Sequence, residues 1–145
     1  MNEYEIATTK VRPYLTDTLL WPDKLISNYG RVPVQIGTKI AWADFVCYAS
    51  EHQKAIPWLL VEVKRPDEPI GQAVPQAESY AIILGARFFA VTDGNDYRFY
   101  ITGASQGKAI QLADASNIPI PTTMHLETGT EFRKNKRDGS LYLQF

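Results

Sequence analysis

The sequence predicts an α/β domain with a central mixed β-sheet flanked by helices. Three observations carry that expectation. Apolar, β-branched runs of strand length recur along the chain, two stretches space their apolar residues as helices do, and clusters of Gly and Pro separate them. At 145 residues the chain is long enough to bury a core, and it shows neither an internal repeat nor an internal boundary, so residues 1–145 are expected to form a single domain.

Over residues 2–20 the apolar positions Ile6, Val11, Leu15 and Leu19 recur at helical spacing, with Pro13 inside the pattern, so one kinked helix or two short pieces is expected. Trp21, Pro22 and Asp23 punctuate, and residues 24–29 are expected to add a helical turn before Gly30. Residues 32–36 alternate as a strand whose Pro33 marks an edge or a strand start. A turn at Gly37 leads into a second strand over 40–48, with Trp42, Asp44, Val46 and Tyr48 on one face and Ala43, Phe45 and Cys47 on the other. A polar stretch then returns the chain into a third strand over 56–64, ended by Pro66 and Pro69 with Arg65, Asp67 and Glu68 between and beside them.

Residues 70–84 read as a helix with Pro75 in its first turn, Gln72, Gln76 and Tyr80 on one face, and Gly85 as a left-handed cap. Strands over 87–91 and 97–101 flank a turn at Asp93, Gly94, Asn95 and Asp96. Beyond Gly103 the signal weakens. Residues 104–124 are mixed and contain prolines, Arg133 to Arg137 is a basic run, and residues 141–143 suit a last short strand.

The chemistry concentrates on the third strand. Side chains alternate along a strand, so Glu62 and Lys64 point the same way, about 6–7 Å apart. A carboxylate and an ammonium on an otherwise apolar strand are costly to bury unless they are paired or used. Asp44 is a second carboxylate alone among apolar neighbours. If adjacent strands bring Asp44 to Glu62, the two carboxylates and the Val63 backbone carbonyl supply hard oxygens suited to Mg²⁺ or Mn²⁺. Lys64 then faces the position of an attacking water and of charge developing on a phosphate.

Composition sets limits on this reading. A net charge of −1 gives no global attraction to nucleic acid, which excludes a tight, non-specific DNA binder acting alone. The acidic, polar start of the chain is unlike a secretory signal, and no apolar run approaches the roughly 20 residues of a membrane span. Cys47 is a lone cysteine and forms no internal disulfide, so a cytoplasmic setting without membrane contact is expected.

Asp44, the intervening hairpin and the triplet Glu62, Val63, Lys64 resemble the Asp…(Asp/Glu)-x-Lys signature of the PD-(D/E)xK nuclease superfamily. Gln76 with Tyr80 resembles the Gln-x-x-x-Tyr element on the following helix, and Thr92, Asp93, Gly94 with the strand from Tyr97 resemble the Thr-(Asn/Asp)-Gly hairpin that closes the core. The subfamily most resembled is the N-terminal nuclease domain of type I restriction enzyme R subunits. The likeness covers about residues 2–101, leaving 102–145 as a peripheral extension. It implies a restriction-endonuclease-like core and a Mg²⁺-dependent DNA endonuclease, with Asp44, Glu62 and the Val63 carbonyl holding metal and Lys64 catalytic. Gln76 and Tyr80 would contact DNA or support those groups, and Glu3 or, as first choice, Glu5 would be the acid on the first helix. Ala43 stands where the family usually has proline.

The implied partners are double-stranded DNA, a motor domain and other restriction-modification subunits. The chain carries no ATP-binding motif, so ATP enters only through a motor elsewhere. Cleavage with little sequence preference is expected, since no base-reading element is visible. Two other readings stay open: a non-catalytic nuclease-like module that binds DNA or subunits, and a repair or junction nuclease of the same superfamily. Asp44 paired with Lys64 as an inert structural ion pair would suit the former. The stretch from Gly103 to Ala109 has the wrong spacing for a phosphate loop, and His52 and His125 lack the spacing of zinc ligands.

Overall fold

The computed structural model describes residues 1–51, 54–103 and 109–112, together with the backbone of 131–134 and 141–144. The first helical run is continuous. Asn2 caps it, its side chain accepting the Glu5 N–H at 2.8 Å. An α-turn, α1 (Glu3–Ile6), passes into wider π-helical turns at Ala7–Val11 and Tyr14–Thr18. Hydroxyls of Thr8, Thr9 and Thr16 bond back to the carbonyls of Tyr4, Glu5 and Pro13, which draws carbonyls away from the α ladder. The wide turns give the Pro13 ring room that an α-turn would deny it, so neither a break nor separate pieces result. Ile6, Ala7, Val11 and Leu15 are buried along this run. Leu20, with a left-handed φ of 60°, ends it.

The expected helical turn after Pro22 is a single 3₁₀ turn, Asp23–Leu25, and the chain then runs extended beside a strand. β1 (Val32–Ile36) and β2 (Lys39–Ala43) form a separate two-stranded antiparallel ribbon. That arrangement places Pro33 on an edge, where its missing N–H is tolerated.

The stretch expected as one strand over 40–48 is broken at Asp44, where the backbone bends and β3 (Phe45–Glu51) begins in a different sheet. The cause is hydrogen bonding away from the ladder: the Asp44 N–H donates to a Glu62 side-chain oxygen, and its carbonyl accepts from Gly30 N–H. The expected two-face alternation fails there. Trp42 is half exposed, whereas Phe45, Val46, Cys47 and Tyr48 are all buried.

β3 pairs antiparallel with β4 (Lys54–Val63), which pairs parallel with β5 (Phe88–Thr92). β6 (Tyr97–Ile101) and β7 (Ile110–Leu112) add antiparallel strands, giving a mixed five-stranded sheet in the order β3-β4-β5-β6-β7. β7 thus carries the sheet beyond the stretch covered by the resemblance. The β3 edge is covered by residues 21–30: Ser27 N–H donates to the Val46 carbonyl, the Ser27 hydroxyl accepts the Val46 N–H, and buried Trp21 donates its indole N–H to the Tyr48 carbonyl. Backbone groups that would invite another chain are thereby satisfied within this one.

The parallel β4–β5 pair requires a crossover, supplied by a 3₁₀ turn (Ile70–Ala73) and α2 (Val74–Leu84). Pro75 lies in the first turn of α2 and Gly85 closes it at φ 77°, both as expected. α2 packs on β4 and β5. A further antiparallel pair, β8 (Glu131–Lys134) with β9 (Leu141–Gln144), takes up part of the basic run and the expected last strand. His52, residues 104–108, His125 and Arg137 lie outside the described residues. No helix among the described residues is long and apolar enough to cross a membrane.

Candidate active site

Asp44 sits at the bend between β2 and β3, and Glu62 near the end of β4, whose neighbours on both sides are strands. The two acids are locked reciprocally. Asp44 N–H donates to Glu62 Oε1 at 3.2 Å, and Val63 N–H donates to Asp44 Oδ2 at 2.7 Å. Each carboxylate is therefore oriented by backbone belonging to the other's strand end.

The electrostatics show the cost. Burial pushes the Asp44 carboxyl up to about 6, while the Val63 N–H bond works against the rise. Burial pushes Glu62 well above the usual carboxylate range, and the Asp44 charge beside it pushes further. The effect runs one way: Asp44 raises Glu62, whereas the side-chain bond to Glu62 lowers Asp44, the pattern of two carboxyls sharing a proton, which a cation could replace.

Lys64 follows β4, and its N–H continues the ladder to the Thr92 carbonyl at 2.8 Å. Its ammonium lies 3.6 Å from Glu68 Oε2, and Glu68 also takes Arg65 Nη2 at 2.8 Å. The Lys64 charge still offsets part of the rise at Asp44. The inert Asp44–Lys64 ion pair considered from sequence is not formed. Glu68 is the carboxylate that sequence reasoning treated only as part of a strand stop; its spacing of four residues from Lys64 was the available signal.

Of the acids on the first helix, Glu3 is the one whose charge reaches Asp44, Glu62 and Tyr29. Glu5, the first choice from sequence, is exposed at the helix surface. Among the described residues no three acids, histidines or cysteines are grouped closely enough to enclose a metal. Gln76 Nε2 donates to the hydroxyl of buried Tyr80, so the structure joins these two to each other, and no hydrogen bond links either to Asp44, Glu62 or Lys64 among the described residues. Cys47 is fully buried, which pushes its thiol up and leaves it inert.

The first helix is docked by the turn after β5. The Thr92 hydroxyl accepts the Gly94 N–H and donates to the Asp96 carbonyl, and Asp93 Oδ1 accepts the N–H groups of Asn95 and Asp96. Gly94 has φ 92°, and a Cβ there would lie 2.8 Å from Ile6 Cγ2. The Thr-Asp-Gly sequence thus lets this turn touch the helix that carries Glu3, and Lys10 adds a bond to Asn95.

A family model described as type I restriction enzyme R protein N terminus matches residues 5–119. Among solved structures, a fragment of a chain named as an HsdR subunit of a type I restriction enzyme from Vibrio vulnificus YJ016 superposes with a TM-score of 0.56 at 25% identity. The match covers 77% of this chain and 23% of that one, so the chain spans less than a quarter of that relative's length. Comparison with curated proteins gives no match.

Proposed function

From the premise that the chain belongs to the family of type I restriction enzyme R protein N termini, we propose that it is the Mg²⁺-dependent DNA endonuclease domain of such a subunit, on a restriction-endonuclease-like core. The observation that carries this is the buried Asp44–Glu62 pair, two carboxylates held together by β4 and the bend before β3 with no ammonium between them. Mg²⁺ is commonly bound through one or two carboxylates, with water and substrate phosphate completing its shell, so a two-acid site fits. Asp44, Glu62 and the Val63 carbonyl would hold it, with Glu3 adding negative charge from the first helix. When bound, the ion supplies Lewis-acid stabilisation of charge on the phosphate oxygens.

The chain's own residues supply the rest. Lys64, steadied by Glu68, orients the attacking water and offsets negative charge as the phosphodiester is displaced. Gln76 and Tyr80 support the α2 side of the site or contact DNA. The substrate is double-stranded DNA cut with little sequence preference, delivered by a motor domain and other restriction-modification subunits, with ATP used by that motor.

Plasmid nicking with Mg²⁺ or Mn²⁺ tests the proposal: activity that disappears in Asp44→Ala and Lys64→Ala supports it. Absence of metal binding and of cleavage, also when the chain is joined to a motor domain, would sink it. A non-catalytic nuclease-like module is the second reading, favoured by the engagement of Lys64 with Glu68. It predicts DNA or subunit binding that survives the same substitutions.

A further inference from the structure

Beside the carboxylate pair runs an open groove of about 450 Å³, lined by Tyr4, Thr8 and Arg12 of the first helix and by Asp23, Asn28, Tyr29, Arg31 and Phe45. Its volume lies within the roughly 300–1,000 Å³ of ligand clefts. The groove is tied to the site through backbone and rings. Gly30 N–H donates to the Asp44 carbonyl at 2.9 Å, and Tyr29 packs on Phe45, the residue after Asp44, with ring centres 5.7 Å apart.

The lining groups divide in two. Arg12 is structural: it donates to the Ser27 carbonyl and pairs with Asp23 at 2.8 Å. Arg31 is exposed and makes no ion pair among the described residues. Tyr4 is 61% exposed, its ring standing edge-on to Tyr29 at 5.8 Å, an apolar surface left in water by a residue the core does not use. An exposed ring, a free guanidinium, an amide and a hydroxyl along one groove form the combination that holds a nucleic-acid strand by stacking and phosphate contact rather than by base reading.

We propose that this groove binds one unpaired nucleic-acid strand beside the carboxylate pair, with Tyr4 stacking on a base and Arg31 holding an adjacent phosphate. The identity of the ligand rests on the nuclease reading. An unpaired strand is favoured over a duplex because a base reaches the Tyr4 ring only when its face is free; in a duplex both faces are stacked on neighbours. Tyr29 lines the same groove, and burial, with the charges of Asp44, Glu3 and Glu62, pushes its phenol up to about 12.

Fluorescence anisotropy tests the assignment, using a labelled single-stranded DNA of about 12 nucleotides, within the range such grooves cover, and Ca²⁺ in place of Mg²⁺ to prevent cleavage. Tyr4→Ala and Arg31→Gln are each expected to weaken single-strand binding about tenfold and Tyr4→Phe to retain it, while binding of a duplex of equal length ignores both substitutions. Both side chains are exposed, and unchanged melting confirms intact folding. Unchanged single-strand affinity in Tyr4→Ala and Arg31→Gln would overturn the assignment, as would a duplex affinity that falls as far as the single strand's in both. The two proposals fail separately. Cleavage lost in Asp44→Ala with groove variants binding normally removes the groove and keeps the nuclease; groove-dependent binding with no metal-dependent cleavage in any form does the reverse.

Discussion

Two acidic clusters lie a few residues apart and obey opposite physics. Around Glu68, carboxylates meet cations at the surface: Arg65, whose side chain is half exposed, and Lys64, which is largely shielded. Water screens such contacts, and the Lys64–Glu68 pair is worth roughly 0–1 kcal/mol. At Asp44 and Glu62 the carboxylates are buried, face each other, and take their hydrogen bonds from backbone N–H groups instead of cations. The first arrangement is neutral by construction and orients a side chain. The second keeps two carboxyls out of water, an arrangement that a bound cation or proton stabilises, and on that difference the proposal rests.

The largest expected effect separates the proposed site from the surface ion pairs by activity. Asp44→Ala should lower metal-dependent nicking at least about a hundredfold, the scale of removing one group that stabilises a transition state, and so should Lys64→Ala, the one member of the Glu68 cluster with a proposed catalytic role. Arg65→Gln should leave it unchanged. Equal losses in all three would erase the distinction.

Much of the fold was legible in the sequence, for identifiable reasons. Strand β1, strands β5 and β6 and helix α2 with its Gly85 cap follow from local pattern, and the meeting of Asp44 with Glu62 from two lone carboxylates in apolar runs. The break at Asp44 does not, because residues 40–48 form an unbroken strand-like run and the bend is imposed by Glu62 and Gly30 from elsewhere in the chain. Glu3 stands three residues before buried Ile6 in an undisturbed α-turn, so its place nearer the pair than Glu5 was readable from the 3.6-residue period once Ile6 is taken as core. Strand β7 is three residues, two of them exposed, too short to leave a pattern.

Helix docking is the next lever. Gly94→Ala places a Cβ against Ile6 at a backbone angle that favours glycine, so destabilisation of about 2–4 kcal/mol is expected in urea unfolding. If the helix position matters to the carboxylate pair, metal affinity falls with it; retained affinity would detach Glu3 from the site.

A smaller effect follows from pH. Asp44 and Glu62 carry folded-state values raised above their ordinary ones, so the folded state holds protons that the unfolded state has released. Stability without metal should therefore be highest below about pH 4 with respect to these two groups and fall as pH rises through 6, where Asp44 ionises. Asp44→Asn should melt higher than the native chain at pH 8 without metal. Added Mg²⁺ or Ca²⁺ should raise the native melting temperature at pH 8 and far less at pH 5, because protons compete for the same oxygens. At the bottom of the scale, Arg65→Gln should not measurably shift the melting temperature, as its charge is exposed and screened.

The central claim is that the Asp44–Glu62 pair is a cation site. A crystal soaked with Mn²⁺ at pH 8 measures it directly. An anomalous peak between the two carboxylates, absent from Asp44→Asn crystals soaked alike, is the predicted result. No peak there at a Mn²⁺ concentration that supports nicking by this family's nucleases, with the bonds from Asp44 and Val63 N–H unchanged, would contradict it.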